Sequence, residues 1–374
     1  PVRRRLQPLP PLLQRCLASA AQRARKLLLS GDTDFAPWRA VFASLCIGLS
    51  CNGQDRVSGA FGRVSTALKQ PTAQAGEPLA GPPPRPMSSV LRKLLPKYLQ
   101  GSGSHADLES TWAQQDALPP CVPADSLLTE TRVGPYEVLR RLGDGEFSTV
   151  VECRAGAAPE TYALKVIGKA KVLRPSSIVK SIRNIGRVNR EVKAMRAANH
   201  AGICRLFDVM QTPSHIYLVL EKGDRDLYAL IDDYPGGCPE TVVKSATRVL
   251  VLALRHCHNA KIAHRDIKPE NILVCGDPQT WHQNPDAGIV KLCDFGLCAD
   301  IPEDGGLLSD FVGSPGFFAP ELLQRPAYDG ARADLFSLGA VMVELIFGHD
   351  FFGAVWYPVV WKSNLRRVRP ESPR

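Results

Sequence analysis

Beyond Pro239 the apolar residues change period. Val242, Ala246, Val249, Ala253 and Cys257 recur three or four apart over about five turns, the spacing of one helix face. Before that point the chain runs differently. YEVLRRLG, TVVECR, TYALKVI and IYLVLE are short runs rich in β-branched and aromatic residues, the first two joined by the glycine turn GDGEF, and they read as strands. A helix is expected in NREVKAMRAAN and another from Asp334 to Phe347, with order beginning near Tyr136. A small β-rich half followed by a helical half predicts an α+β fold of two lobes with a cleft between them.

Charge divides the chain elsewhere. Residues 1–100 carry 15 Lys and Arg against 4 Asp and Glu, while the whole chain is only +9, so residues 101–374 are slightly acidic. The basic balance therefore belongs to the leading segment and predicts no nucleic-acid or membrane partner for the rest. Residues 1–133 read as a basic, low-complexity leader and linker, 134–221 and 222–352 as the two lobes, and 353–374 as a basic tail. The first 31 residues hold seven basic and no acidic side chains, which suits an organelle-targeting leader or an unstructured arm. Eleven cysteines without a CxxC pair predict reduced thiols in a cytoplasmic or other reducing compartment. The apolar run AVFASLCIGLSC is too short to span a bilayer, and no transmembrane segment is expected.

The chemistry-bearing residues fall between Leu142 and Asp294. Gly143 and Gly145 lie in a strand turn, where missing side chains let backbone amides approach a polyphosphate. Lys165, on a following strand, needs an anion to fix its ammonium, and Glu191 in the next helix supplies it. AHRDIKPENILV sets Asp266, Lys268 and Asn271 between apolar flanks. Phosphoryl transfer needs a group to orient the attacking hydroxyl, a cation for the developing charge and ligands for Mg²⁺, and these three residues match that order. Asp294, directly after the apolar KLC, offers the second metal ligand.

Residues 136 to about 350 resemble the eukaryotic protein kinase catalytic domain. GDGEFSTV, YALK, Glu191, HRDIKPEN, DFG, GSPGFFAPE and DLFSLG stand in that family's order. The resemblance implies a serine/threonine enzyme using ATP and Mg²⁺ on protein substrates, and GEFSTV with GSPGFFAPE looks most like the calcium/calmodulin-dependent group. By that resemblance Asp266, Lys268, Lys165 and Glu191 are catalytic, and Asn271 and Asp294 hold magnesium. Leu142, Gly143, Asp144, Gly145, Glu146, Phe147, Ser148, Val150, Ala163, Glu221, Gly223, Asp226 and Leu273 surround the nucleotide, with Ser148 where the simplest glycine pattern has a third Gly. The alternatives are a nucleotide-binding scaffold without activity and, more distantly, a small-molecule phosphotransferase.

Several expectations concern departures and neighbours. CGDPQTWHQNPDAG reads as an inserted surface loop, and the basic stretch from Lys165 to Lys193 as a solvated loop. His256 and His258 read as solvated helix-end residues, and Cys293 as a packing thiol. The sequence after GHDFFGAVW lacks the family's last helices, which predicts a truncated lobe, a bare outer face on the 334–347 helix and a Glu321 without its Arg. Asp310 is expected to meet Arg265 as a fixed carboxylate, with Ser309 as an added phosphorylation site. Asp226 and Glu270 sit where related enzymes hold a basic substrate residue upstream of the target.

Overall fold

Glycine-punctuated strands close into one antiparallel sheet in the computed structural model, which describes residues 111–112, 114–123, 128–129, 131–173, 178–283, 289–324 and 327–362. The strands are β1 Leu128–Thr129, β2 Arg132–Val133, β3 Tyr136–Asp144, β4 Ser148–Ala155, β5 Thr161–Gly168, β6 Leu206–Gln211 and β7 His215–Glu221. Their order is β1-β2-β3-β4-β5-β7-β6, with the glycine turn joining β3 to β4 at one end. A short α1, Lys169–Val172, and a long α2, Ile178–Ala197, follow β5.

The stretch expected as a solvated basic loop is most of α2, which starts at Ile178 and not at Asn189. Its helical period was masked by charge. Ile182, Ile185, Val188 and Val192 are buried, while Arg183 and Lys193 point outward. Order also begins before Tyr136. Trp112 and Ala117 are buried in a cluster with Ile167, Ile185, Val188, Val192, Val209 and Ile216, an anchoring made by distant contacts that a polar local sequence does not announce.

The second lobe is built on α3 Leu227–Asp232, α4 Glu240–Asn259, α5 Glu321–Gln324 and α6 Gly330–Phe351. Strands β8 Arg225–Asp226, β10 Ile272–Val274 and β11 Val290–Leu292 form a small sheet ordered β11-β10-β8. β9 Ile262–Ala263 pairs with β12 Ala299–Asp300. All five residues that marked the helical period lie buried in α4. Burial of each of the two valines stabilises by roughly 1.5–3 kcal/mol before entropy is counted, while the alanines let neighbouring elements pack close, so this face fixes the lobe. The inserted loop is anchored: Trp281 is buried and donates its indole N–H to Cys275 O at 3.1 Å.

The bare outer face expected for α6 is absent, because the following residues cover it. Gly348 leaves helical geometry at φ 81°, and a π-helical stretch, Phe352–Lys362, continues the chain. Phe352, Val355 and Trp356 are buried, Phe352 stacks on Phe317 at 4.9 Å, and Trp356 donates to Gly316 O at 3.0 Å. Glu321 opens α5, half-buried, and is not without a partner. By length and composition Gly330–Tyr357 could cross a bilayer, alone among the described residues, yet 72% of that window is buried inside the protein. A helix enclosed by a lobe core is apolar on all sides for the same reason as a membrane span. The run AVFASLCIGLSC and the leader up to residue 110 lie outside the described residues.

Trp356→Ala should uncover this face and cost about 3–5 kcal/mol, as for other buried aromatic truncations. Urea unfolding of the two proteins measures it, and a cost within about 0.5 kcal/mol, the scatter of surface substitutions, would mean the π-helical stretch does not close the lobe.

Candidate active site

The residues singled out from the sequence converge between the lobes. Lys165 on β5 reaches Glu191 on α2 at 2.5 Å and Asp294 at 3.0 Å. Burial works against the ammonium, but the Glu191 and Asp294 carboxylates outweigh it and hold Lys165 charged well above the ordinary lysine range. Burial also raises Glu191, against the pull of Lys165. Lys165 in turn is the main cause that lowers Asp294 below the usual carboxylate range.

Asp294 sits in the left-handed region at φ 58°, a position that costs a non-glycine residue and orients its carboxylate. Its Oδ1 accepts from Lys165 and Gly296 N, which leaves Oδ2 for a further partner. Asn271 lies in a short turn after Lys268. Its amide nitrogen donates to Asp266 O at 2.8 Å and Asp266 Oδ2 at 2.9 Å, so its carbonyl oxygen is the atom left to face a cation. One carboxylate and one amide oxygen form a hard donor set that fits Mg²⁺ shared with phosphate oxygens. Among the described residues no cluster of three or more His, Cys, Asp or Glu offers a self-sufficient metal site.

Asp266 receives three groups. Ser314 Oγ donates to its Oδ1 at 2.7 Å, Asn271 to its Oδ2, and Lys268 Nζ lies 3.6 Å from Oδ2. The loop carrying it is held from behind by Asp334 at the head of α6. Asp334 has no exposed surface and accepts from His264 N at 2.8 Å, Arg265 N at 2.7 Å and the His258 ring at 2.9 Å. His258 is thus an internal partner and not a solvated helix-end residue. His264 reaches Cys293 O at 3.0 Å and packs its ring edge-on to Phe295, joining the Asp266 loop to the Asp294 turn.

The residues expected around a nucleotide divide by their surroundings. Gly143 has open space where a side chain would be, whereas a side chain at Gly145 would meet Ser148 Oγ at 2.8 Å. Asp144 at the tip is tied to Arg141 and Thr149, Phe147 packs toward the first lobe's core, and Ser148 is buried. Glu146 is exposed. Leu142 is exposed at the end of β3, and Val150, Ala163 and Leu273 are half-buried, which leaves apolar surface for a flat ring. Glu221 accepts from Arg205 N and pairs with Lys291 at 3.0 Å. Gly223 is required for close approach, since a side chain there would meet Leu273 Cβ at 2.8 Å. Asp226 caps α3, accepting from Ala229 N at 2.7 Å. Burial raises the Cys293 thiol well above its ordinary value, as a packing thiol requires.

Arg265 is buried at φ 69°, and its guanidinium bonds Leu297 O at 2.7 Å and meets Asp310 at 3.6 Å. Tyr328 donates to Asp310 O at 3.0 Å. The expected Asp310–Arg265 pair is therefore present. Ser314, Tyr328 and Asp334 were missed as site residues, and only the acidic head of an otherwise apolar helix hinted at Asp334.

The family model described as Protein kinase domain matches residues 136–367. CBL-interacting protein kinase 4 of Oryza sativa subsp. japonica is 40% identical over 224 residues, 59% of this chain and 46% of its own length. CBL-interacting serine/threonine-protein kinase 19 of Arabidopsis thaliana is 34% identical over 245 residues, 63% of this chain and 47% of its own. Sucrose non-fermenting protein kinase 1 of Fusarium virguliforme is 34% identical over 231 residues, 60% and 30% respectively. The chain thus spans about half the length, or less, of these relatives.

Removing the Asp310 carboxylate should loosen the segment it pins. Asp310→Ala is expected to raise amide exchange of residues 307–314 by about threefold to tenfold, as for loss of a half-exposed charged contact, while Asp310→Glu preserves protection. Unchanged exchange in Asp310→Ala would mean that Tyr328 and the backbone hold the segment without it.

Proposed function

Because the chain belongs to the protein kinase domain family, we propose that it transfers the γ-phosphoryl group of ATP to Ser and Thr hydroxyls of protein substrates. One observation carries this reading: Asp266 accepts a serine hydroxyl at 2.7 Å on one oxygen while Asn271 and Lys268 face the other. That is the arrangement needed to orient an attacking hydroxyl.

In this reading the open turn at Gly143 and Gly145 lets backbone amides cradle the phosphates, and Lys165, held by Glu191, contacts the α and β groups. Asp294 Oδ2 and the Asn271 carbonyl would hold Mg²⁺, which supplies charge neutralisation of the phosphates when bound. The substrate oxygen forms a bond to γ-phosphorus as the bond from phosphorus to the β–γ bridging oxygen breaks. The hydroxyl proton passes to Asp266, ADP is the leaving group, and Lys268 offsets the charge on the transferring oxygens. The scaffold alternative gains nothing from the site, in which each of these residues is present and oriented.

Substrate choice follows from charge. Asp226 and Glu270 lie near Tyr228 together with Asp232 and Glu344, all four carboxylates acting on its hydroxyl. Glu344 on α6 is buried, bonds His349 at 2.7 Å through Oε1, and has no partner for Oε2 among the described residues. We infer that Asp226, Glu270 and Asp232 receive an Arg or Lys upstream of the target residue, with the buried Glu344 adding negative charge behind them.

Two measurements check the proposal. Asp266→Asn and Asp294→Asn should each reduce phosphate transfer at least ~100-fold, the former with ATP binding largely kept. Undiminished transfer by purified Asp266→Asn would refute the assignment. In a positional peptide library, upstream Arg should be favoured, and more strongly as pH rises. Burial raises Glu344 to about 7, so its carboxylate is charged above that value and neutral below it. A library without basic preference at pH 8, roughly one unit above, would refute the substrate reading.

A further inference from the structure

Residues 111–122 precede the span that the family model matches, yet they are built into the first lobe. Trp112, only 4% exposed, packs in the cluster that contains Ile185, Val188 and Val192 of α2. The Lys169 ammonium lies 5.5 Å from the centre of its ring. The chain then crosses α2. Ala117 N donates to Asn189 Oδ1 at 3.0 Å, Asn189 donates to Asp116 Oδ1 at 2.9 Å, and Lys193 donates to Asp116 Oδ2 at 2.7 Å. Further on it meets β6: Gln211 donates from its amide to Pro119 O, and Val122 N donates to Gln211 O at 3.0 Å. Lys169 reaches the same Gln211 side chain at 2.8 Å.

These contacts bear on α2 and on the sheet beside it. Asn189 and Lys193 are four residues apart, one turn, while Glu191 lies midway between them in sequence and so points about 180° away, by about 100° per residue. The polar contacts therefore lie on the face of α2 opposite the carboxylate that pairs with Lys165 at 2.5 Å, while Trp112 fills the groove between α2 and the sheet beside Ile167, Val209 and Ile216. A long helix whose Glu must meet a Lys on a sheet has two discrete places to sit, toward the sheet or away from it. A segment that packs on α2 and on the sheet together favours the first.

We propose that residues 111–122 are an activating strap, acting in cis on the α2–β6 groove through Trp112. Trp112 is a positioning residue: it acts on Lys165 through α2 and Glu191 and touches neither nucleotide nor substrate. The inference rests on the kinase reading for its effect on activity, and on geometry alone for its effect on α2. The indole N–H of Trp112 is buried without an acceptor among the described residues, so shape and apolar area hold the ring and a benzyl ring can replace it.

The test uses the full chain and three proteins: wild type, Trp112→Ala and Trp112→Phe. Trp112→Ala should raise amide exchange in α2 about tenfold with α4 unchanged, and lower kcat/KM about tenfold with the loss partly in the KM for ATP. Trp112→Phe should restore both. A synthetic peptide of residues 111–123 added to Trp112→Ala should restore α2 protection and activity, and the same peptide with Ala for Trp should not. Wild-type exchange in α2 of Trp112→Ala overturns the proposal, as does an equal loss of protection in α2 and α4, which would make Trp112 a general folding residue. If wild type transfers no phosphate, the kinase reading fails, while the α2 exchange and the peptide rescue still decide the strap.

Discussion

A carboxylate with no exposed surface holds the site together. Asp334 accepts two consecutive backbone N–H groups, from His264 and Arg265, together with the His258 ring. An isolated buried charge would be prohibitively costly, so its partners must be in place for the lobe to close, and closing the lobe fixes them. This is why Arg265 can remain at φ 69°. With the backbone pinned there, Asp266 faces the cleft while Arg265 turns the other way, toward Leu297 and Asp310.

From that anchor the arrangement spreads through short links. His264 ties the loop to Cys293, and the next residue, Asp294, stands in the left-handed region with its carboxylate on Lys165. Lys165 carries the connection into the first lobe and to Glu191 on α2. A displacement of α2 would part a half-buried Lys from a buried Glu, at a cost of at most about 3–5 kcal/mol, the loss on removing one partner of a fully buried pair. The two lobes are thus coupled through charge at the cleft, and the first lobe's own packing decides where α2 rests.

Much of this was legible because the chemistry is local in sequence. Asp266, Lys268 and Asn271 fall within one turn of chain, and the period of α4 is written in five residues that are all buried. The rest depends on contacts between distant residues. Asp334 read only as the head of a helix, and Ser314 only as one residue of GSPGFFAPE, since nothing local says that either meets the Asp266 loop. Trp112 fell in a stretch read as leader and linker because its partners lie more than fifty residues away, on α2 and the sheet. The outer cover of α6 was misread for a different reason. Phe352, Val355 and Trp356 depart from the family's pattern but retain apolar residues where a cover is needed.

The proposed phosphate transfer needs Asp266 held in place, and Asp334→Asn removes the buried carboxylate that pins its loop. The substitution keeps the size of the side chain and replaces one acceptor oxygen with a donor, which cannot serve both backbone N–H groups. The rate of phosphate transfer to a protein substrate, measured alongside ATP affinity, is expected to fall at least ~30-fold with affinity changed less than about threefold, the signature of a group that orients the reacting atoms. Wild-type turnover in a folded Asp334→Asn protein would contradict the account, because the loop would then hold its geometry without the carboxylate.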